Sequence, residues 1–236
     1  MTINHKFFLN LAFQIAERNL GKTGQNPTVG SIVVKNDTVI SSGVTSINGR
    51  PHAEFNALNK VKNTAGSTLY TTLEPCIHRG KTPPCVNIII KKKIRNVFFG
   101  LEDPDLRTFK KAKKILSSKG IVTKLIRSKK YDNFYRSYII NKKFNIPFIS
   151  AKIAMSKDNL TINKKDKWIT NTFSRKIVHL IRSKHDGIIS TSKSINYDNA
   201  LLNCRIEGLN KSKHDLFIID LNLKLKKNLL LNKILK

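Results

Sequence analysis

The 236 residues of the chain are enough for one large domain or two small ones. Hydrophobic residues make up 40% of the chain and charged residues 25%, which supports a buried core and excludes a disordered or low-complexity protein. The three cysteines are too few for a disulfide scaffold. No apolar stretch approaches the roughly 18 residues of a membrane helix, and the N-terminus lacks a signal-peptide pattern. We therefore expect a soluble protein of the reducing cytoplasm, without a membrane partner.

The formal net charge of +29 would by itself suggest a nucleic acid as partner. The excess comes from 34 Lys and only 10 Arg, while Asn and Ile are similarly frequent, with 24 and 29 copies. A phosphate-binding surface is expected to use Arg for bidentate contacts. The pattern is instead typical of A/T-rich codon usage, and it disfavours a nucleic-acid partner.

The first part of the chain alternates helices and strands. Hydrophobic spacing and turn residues predict, in chain order, a helix over 3–20, strands over 31–35 and 38–44, a helix over 52–62, a strand over 68–73, a helix over 84–93, a strand over 95–100, a helix over 108–119, a strand over 121–126 and a closing helix over 130–146. Strands that alternate with helices imply crossover connections, so we predict a layered α/β sandwich.

A second α/β run follows Pro147, and we place the domain boundary there, with domains over 1–146 and 147–236. Its predicted elements are a strand over 148–155, a segment over 168–170, a helix over 171–183, and strands over 187–190 and 216–221. Leu221, Leu223 and Leu225 alternate like a strand, and the last residues are apolar. This apolar end is expected to pack against a second copy of the chain or a separate chain, or to be a frayed remnant.

Three potential metal ligands stand near predicted helix starts and strand ends. His52, Cys76 and Cys85 leave the fourth tetrahedral position of a zinc ion to water, which is the arrangement of a catalytic zinc. Such a zinc makes hydroxide available near neutral pH. Glu54, two residues after the histidine, can carry a proton from this water to a substrate. Zinc deaminases combine the same His-x-Glu and Pro-Cys signatures.

The eight residues between Cys76 and Cys85 distinguish this pattern from the plain deaminase signature, which has two. The insert contains His78, Arg79 and Lys81, which suit an anionic group on the substrate. A disulfide between the two cysteines is disfavoured because the cytoplasm is reducing. Cys204 has no neighbouring His or Cys in the sequence and is expected to be an ordinary half-buried thiol.

Three segments together resemble one enzyme family, the bifunctional pyrimidine deaminase/reductases of riboflavin biosynthesis. They are Asn26-Pro27-Thr28-Val29-Gly30, Pro51-His52-Ala53-Glu54, and the run from Thr72 to Cys85 with its Lys-Thr-Pro-Pro-Cys ending. The resemblance implies a cytidine-deaminase-like three-layer sandwich that deaminates diaminohydroxyphosphoribosylaminopyrimidine, a pyrimidine ribose phosphate.

The resemblance also implies roles for individual residues. His52, Cys76 and Cys85 would bind zinc, Glu54 would be the catalytic proton shuttle, and Glu74 would orient the shell around the metal. Asn26, Lys81 and Asp103 would contact the substrate. The family usually has a histidine where this chain has Thr45, so one substrate contact is expected to differ.

Residues 147–220 are similar to the start of the family's reductase domain, which is related to dihydrofolate reductase. The resemblance implies an NADP cofactor contacted by Met155, Trp168, Ser194 and Asp198, and a substrate, amino-(phosphoribosylamino)uracil, contacted by Asp166, Arg182, Leu202 and Arg205. A dinucleotide usually binds at a glycine-rich turn, and this part contains only two glycines. We therefore expect a partial, truncated reductase-like domain with weak or no activity.

Two other functions share some of these features. A deaminase acting on tRNA or another nucleic acid would have the same zinc chemistry and would make use of the positive charge. The long cysteine spacing, the reductase-like second part and the lysine-dominated charge disfavour it. A non-enzymatic binding module would require an idle zinc site although all of its residues are present.

Overall fold

A computed structural model describes residues 4–161, 168–209 and 214–231. The chain divides into two compact units, Met1–Ser150 and Ala151–Lys236, a division four residues beyond the boundary expected from the sequence. In the described ranges, no helix has the length and apolar character needed to cross a membrane.

The first unit contains six helices and five strands in its described part. In chain order they are α1 (His5–Glu17), β1 (Gly30–Lys35), β2 (Thr38–Val44), α2 (Ala53–Asn59), β3 (Thr68–Thr71), α3 (Cys85–Lys91), β4 (Asn96–Phe99), α4 (Lys111–Ser117), β5 (Val122–Leu125), α5 (Lys129–Phe134) and α6 (Arg136–Phe144), with a short 3₁₀ turn at Ile47–Gly49 before α2. The predicted elements of this unit are present, and most are shorter at their ends than the sequence suggested.

The five strands form one sheet in the order β2-β1-β3-β4-β5. Strand β1, the second in this order, is antiparallel to both of its neighbours, with Ser31 opposite Gly43 on β2 and Thr71 on β3. Strands β3, β4 and β5 run parallel, with Leu69 opposite Val97 and Val97 opposite Thr123. The parallel pairs are joined by α3 and α4, as crossover connections require.

Alternate side chains of the strands enter two separate cores, which makes the unit a three-layer sandwich. On one face, Ile32, Tyr70 and Phe98 pack with α1 and with Tyr131 and Tyr135 of the C-terminal helical segment. On the other face, the neighbouring residues Val33, Leu69 and Val97 pack with residues of α2, α3 and α4. This arrangement confirms the predicted α/β sandwich.

Helix α2 lies against strand β2 at Gly43. A Cβ atom at this position would collide with the Ala53 carbonyl oxygen and the Ala57 nitrogen, both of which belong to the backbone of α2. Backbone atoms cannot move aside as a flexible side chain does, so only glycine allows this packing. The position matters for the site because α2 begins directly after His52.

We expect Gly43→Ala to lower the free energy of unfolding by about 1–3 kcal/mol, because the added methyl group forces α2 away from the sheet. Urea titration followed by circular dichroism measures this change. The control is Ser42→Ala on the same strand, which adds no atom. Equal stability of both variants and the wild type would contradict the close packing.

The predicted helix over 130–146 is divided at Tyr135, where φ is −95° and ψ is 10°, so it forms α5 and α6. The hydroxyl group of Tyr135 donates to the Thr28 carbonyl oxygen (3.0 Å) and lies 2.6 Å from Thr72 Oγ1. These contacts hold Tyr135, the residue between α5 and α6, in the core. The sequence pattern did not show the division because both halves are helical.

The second unit contains α7 (Thr172–Arg182), β6 (Gly187–Thr191), α8 (Ser192–Asp198) and β7 (Asp215–Ile219) in its described part. Strands β6 and β7 form a parallel two-stranded sheet. One face of this sheet packs, through Leu216 and Ile218, with a small core around Ile195, Leu229 and Leu231. On its other face Ile189, Phe217 and Ile219 are exposed.

Several predictions for this unit are wrong. Residues 148–155 form no strand, because no described strand pairs with them. The residues from Leu221 to Leu225 form a turn and an irregular segment instead of a strand, with φ of 52° at Leu223. Helix α8 was missed, and Cys204 is buried rather than half-buried, with 2% exposure.

Candidate metal and catalytic site

Three side chains with metal-binding atoms meet in the first unit. One ligand atom from each of His52, Cys76 and Cys85 lies within 4.8 Å of the others. His52 Nδ1 is 3.3 Å from Cys85 Sγ and 3.6 Å from Cys76 Sγ. One imidazole nitrogen and two sulfurs are ligands that zinc prefers, and three protein ligands are the number found in catalytic zinc sites. The residues therefore fit a zinc ion.

The ends of secondary-structure elements position these three residues. His52 is the N-cap of α2 and has an extended backbone, with φ of −72° and ψ of 161°. Cys76 follows the end of β3, and Cys85 is the first residue of α3. The backbone N–H of Cys85 donates to Cys76 Sγ (3.3 Å). Hydrogen bonding by the Cys85 thiol is the largest effect on the pKa of Cys76 and lowers it, which favours the thiolate that zinc binds.

Glu54 lies in the first turn of α2 and is 3% exposed. Burial raises the pKa of its carboxyl group to about 7, although the nearby His52 acts in the opposite direction. A carboxyl group with a pKa near 7 both accepts and releases a proton at neutral pH. The Cys85 thiol also acts on this pKa, so the carboxyl group lies beside the zinc-binding atoms.

A cavity opens at this cluster, and most of the residues that the sequence singled out line it. Asn26, His52, Glu54, Cys76 and Asp103 are among its lining residues. Lys81 is not among them, and it is exposed on the segment between the two cysteines. The structure thus brings together two of the three expected substrate contacts of this unit.

Thr45 lines the same cavity and is 1% exposed. Its hydroxyl oxygen accepts a hydrogen bond from the Val29 backbone N–H (2.9 Å). The Thr45 backbone N–H in turn donates to the Val29 carbonyl oxygen (2.9 Å). The threonine therefore ties strand β2 to the segment that carries Asn26.

Glu74 binds the backbone of a segment that lines the same cavity. Its carboxylate accepts hydrogen bonds from the backbone N–H groups of Asp103 (3.2 Å), Lys110 (3.0 Å) and Ala112 (3.0 Å). Burial raises the pKa of this carboxyl group, and the three N–H groups counteract the effect. Glu74 thus holds the segment from Asp103 to α4, and none of these three described partners is a metal ligand.

Sequence reasoning missed part of the cavity wall. Arg50, Asp105, Arg107, Tyr138 and Lys142 also line it, and none of them belongs to a recognisable motif. Arg107 pairs with Asp105 at 2.6 Å, and Lys142 lies 3.5 Å from the same carboxylate. Of the basic residues in the cysteine insert, only His78 lines the cavity. The cavity wall therefore receives its cationic side chains from other parts of the sequence and not from Arg79 or Lys81.

The residues expected at the reductase site lie in the second unit and are only partly brought together. Arg182 donates to the Asn203 carbonyl oxygen (3.3 Å), and Arg205 donates to Oδ1 of the same residue (3.0 Å). His179 Nδ1 also lies 3.1 Å from the Asn203 carbonyl oxygen. Burial lowers the pKa of His179, and the positive charges of Arg205 and Arg182 lower it further.

The other expected residues of this site do not line the groove found in the described part of the unit. Met155 and Trp168 are each 54% exposed, and the Trp168 ring lies 4.5 Å from the Arg175 guanidinium. A groove between α8, the end of β7 and the residues that follow is lined by neither of them, nor by Ser194 and Asp198. Leu202 packs against the small core of the unit, and Asp166 lies outside the described residues.

The fold and the three metal-binding residues together define the first unit as a zinc-deaminase-like domain. Residues 2–101 match the family described as the cytidine and deoxycytidylate deaminase zinc-binding region. The match includes His52, Glu54, Cys76 and Cys85. The resemblance seen in the sequence is thus confirmed for this domain.

Over most of its length the chain is homologous to riboflavin biosynthesis protein RibD. It is 34% identical to RibD of Bacillus amyloliquefaciens over 206 residues, which are 85% of this chain and 55% of that protein. It is 36% identical to RibD of Buchnera aphidicola over 214 residues, which are 89% and 58%. The chain spans a little more than half the length of these relatives.

Solved structures show the same relationship. RibD of Acinetobacter baumannii has a TM-score of 0.87 at 27% identity, over 97% of this chain and 67% of that chain. The Thermotoga maritima diaminohydroxyphosphoribosylaminopyrimidine deaminase/5-amino-6-(5-phosphoribosylamino)uracil reductase has a TM-score of 0.81 at 28% identity, over 91% and 62%. Both units of this chain therefore have counterparts in RibD proteins.

Proposed function

We propose that the first unit is a zinc-dependent aminohydrolase of riboflavin biosynthesis. It acts on diaminohydroxyphosphoribosylaminopyrimidine, replaces a ring amine by oxygen and releases ammonia. The observation that carries this proposal is the buried Glu54 carboxyl group beside the zinc-binding atoms of His52, Cys76 and Cys85. The substrate is proposed from the similarity to RibD proteins and from the deaminase named for the Thermotoga relative.

His52, Cys76 and Cys85 would hold the zinc ion, which when bound makes water a nucleophile near neutral pH. Glu54 takes one proton from the water that attacks the carbon bearing the amine. It then delivers this proton to the nitrogen, so that the carbon–nitrogen bond breaks and ammonia leaves. Burial of the carboxyl group raises its pKa and so favours the protonated form that delivers the proton.

The remaining cavity residues would bind the substrate. Asn26 and Asp103 offer an amide and a carboxylate for the amino and carbonyl groups of the pyrimidine ring. Arg50, Arg107 and Lys142 place cationic groups on the wall, which suit the phosphate. Lys81, which the family resemblance implies as a further contact, is exposed on the neighbouring segment.

An ammonia assay tests this function against its alternative. We expect the zinc-loaded protein to release ammonia from the pyrimidine ribose phosphate and none from tRNA. The wall of the cavity carries carboxylates as well as cations, which disfavours a polyanion as the substrate. Ammonia from tRNA alone would contradict the proposal and establish a nucleic-acid deaminase.

We infer that the second unit is related to the reductase half of the RibD proteins, and that Arg182 and Arg205, which both donate to Asn203, bind an anionic group of the substrate. NADPH-dependent reduction of amino-(phosphoribosylamino)uracil by this chain is expected to be weak or absent. The support is that Met155 and Trp168 are largely exposed and do not line the groove of the unit. NADPH oxidation at the rate of the Thermotoga relative, measured by absorbance at a matched enzyme concentration, would contradict this expectation.

We also propose that the protein works in the cytoplasm on a small-molecule substrate, without nucleic acid or membrane. The apolar face formed by Ile189, Phe217 and Ile219 is compatible with packing against a second copy of the chain or against a separate chain. Gel filtration of the purified chain, alone and with a candidate partner, separates these two arrangements.

A further inference from the structure

Helix α6 supplies part of the cavity wall, although it lies beyond the family-matched residues 2–101. Tyr138 and Lys142, one turn apart on this helix, both line the cavity. The Tyr138 hydroxyl donates a hydrogen bond to Asp103 Oδ1 (3.0 Å). A residue outside the matched region therefore contacts one of the proposed substrate-binding residues directly.

Asp103 is held by several contacts in a nearly buried position, with 5% exposure. Its backbone N–H donates to Glu74 Oε2 (3.2 Å). Its Oδ1 atom accepts from the Asp105 backbone N–H (2.9 Å) as well as from Tyr138. Both described hydrogen bonds of the side chain go to Oδ1, so Oδ2 is the oxygen left for a ligand in the cavity.

The position of Tyr138 is itself fixed by its neighbours. Its ring lies 6.4 Å from the Tyr135 ring at an interplanar angle of 62°. Tyr135 is anchored in the core through its hydrogen bond to the Thr28 carbonyl oxygen. On the outer side, the Lys142 ammonium group lies 5.8 Å from the centre of the Tyr138 ring. The hydroxyl group thus reaches Asp103 from a rigid support, as a well-oriented site requires.

We propose that Tyr138 is a positioning residue of the deaminase cavity, which orients the Asp103 carboxylate so that its free oxygen can bind the substrate. This inference rests on the proposed function. A hydroxyl donor stabilises the ionised carboxylate and restricts its rotation, whereas a phenylalanine would leave the buried carboxylate with one donor fewer.

The pKa of the Asp103 carboxyl group depends on its burial, on its hydrogen bonds and on the charges around it. Glu74 and Asp105 are carboxylates, Cys76 contributes a further negative charge, and Arg107 is the opposing cation. Burial raises the pKa of Asp103 to about 6, while the hydrogen bonds from the Asp105 backbone and Tyr138 lower it. Removal of the Tyr138 hydroxyl is therefore expected to raise the pKa of Asp103 further.

The first test compares Tyr138→Phe with Tyr131→Phe. Tyr131 is a matched control, because its ring is stacked on Phe13 at 4.2 Å and its hydroxyl bonds to Asn10, away from the cavity. We expect Tyr138→Phe to lower kcat/KM for ammonia release about tenfold, the effect of one lost hydrogen bond to a charged group. Equal kcat/KM in Tyr138→Phe and Tyr131→Phe would overturn the inference.

A double-mutant cycle shows whether Tyr138 acts through Asp103. If it does, Tyr138→Phe has no further effect on kcat/KM in an Asp103→Asn background. Effects that multiply in the double variant would show that Tyr138 acts independently, and they would overturn the inference.

The positioning role of Tyr138 can be tested separately from the deaminase function by measuring the pKa of Asp103, which does not require catalysis. The protein is labelled with ¹³C-aspartate, and the Asp103 carboxyl signal, assigned by its loss in Asp103→Asn, is titrated by NMR in the zinc-loaded wild type and Tyr138→Phe. An upward shift of the Asp103 pKa in Tyr138→Phe supports the positioning role, and an unchanged pKa overturns it. Absence of ammonia release by the wild type would contradict the proposed function alone.

Discussion

Glu54→Gln is expected to lower kcat for ammonia release at least ~10³-fold, because positioned general acid–base groups contribute about 10²–10⁴-fold and this group serves both proton transfers. The amide has nearly the shape of the carboxyl group but cannot take a proton from water. It also avoids the desolvation cost of the carboxylate, which is buried to 3% exposure. Thermal unfolding should therefore occur at an unchanged or higher temperature. Steady-state ammonia assays and calorimetry measure the two effects.

Glu17→Gln is the matched control, because Glu17 is an exposed glutamate at the end of α1. Its kcat should equal that of the wild type. The zinc content of Glu54→Gln, measured by mass spectrometry of the metal, should be unchanged since Glu54 is proposed as the proton carrier and not as a ligand. Retained activity in Glu54→Gln would remove Glu54 from the mechanism, and a loss of zinc would make it a ligand.

Cys85→Ser is expected to weaken zinc binding by more than ~100-fold, since even the loss of outer partners of metal ligands costs about 10–100-fold. Cys85 is 2% exposed, and its sulfur lies 3.3 Å from His52 Nδ1. The serine hydroxyl is a poor substitute for a thiolate, which is the soft ligand that zinc prefers. Ammonia release should fall with the metal content. Zinc affinity is measured by competition with a chromophoric chelator.

Cys204→Ser is the matched control for this variant. Cys204 is also 2% exposed, but it lies in the second unit and is not one of the three clustered metal ligands. Zinc affinity and ammonia release should therefore be those of the wild type. Equal zinc affinity in Cys85→Ser and Cys204→Ser would contradict the assigned ligand set.

The helices and strands of the first unit could be predicted well, because the spacing of apolar residues within each element indicates its type. Apolar residues at strand and helix spacing indicated the order of elements from α1 to β5, and each element is long enough to show its period. The second unit was predicted less well. Residues 148–155 have the apolar composition of a strand but no described pairing partner, and strand formation depends on such a partner.

The metal ligands and the proton carrier could also be predicted, because the ends of neighbouring elements bring short motifs together. The hydrogen-bond partners of Glu74 could not be predicted, for the opposite reason. Its three partners lie between Asp103 and Ala112, about 30 residues or more along the chain, in a segment without a motif. Only their positions in the fold reveal that Glu74 holds this segment.

By itself the sequence determined the donor set, the proton carrier and the succession of helices and strands, since the chemistry of a residue and a short period can be read locally. Only the tertiary structure decided which side chains complete the cavity. Tyr138 and Asp103 are 35 residues apart, and they meet because α6 returns across the unit to the segment held by Glu74. Packing of distant elements sets such contacts, and neither spacing nor composition encodes them in a readable form.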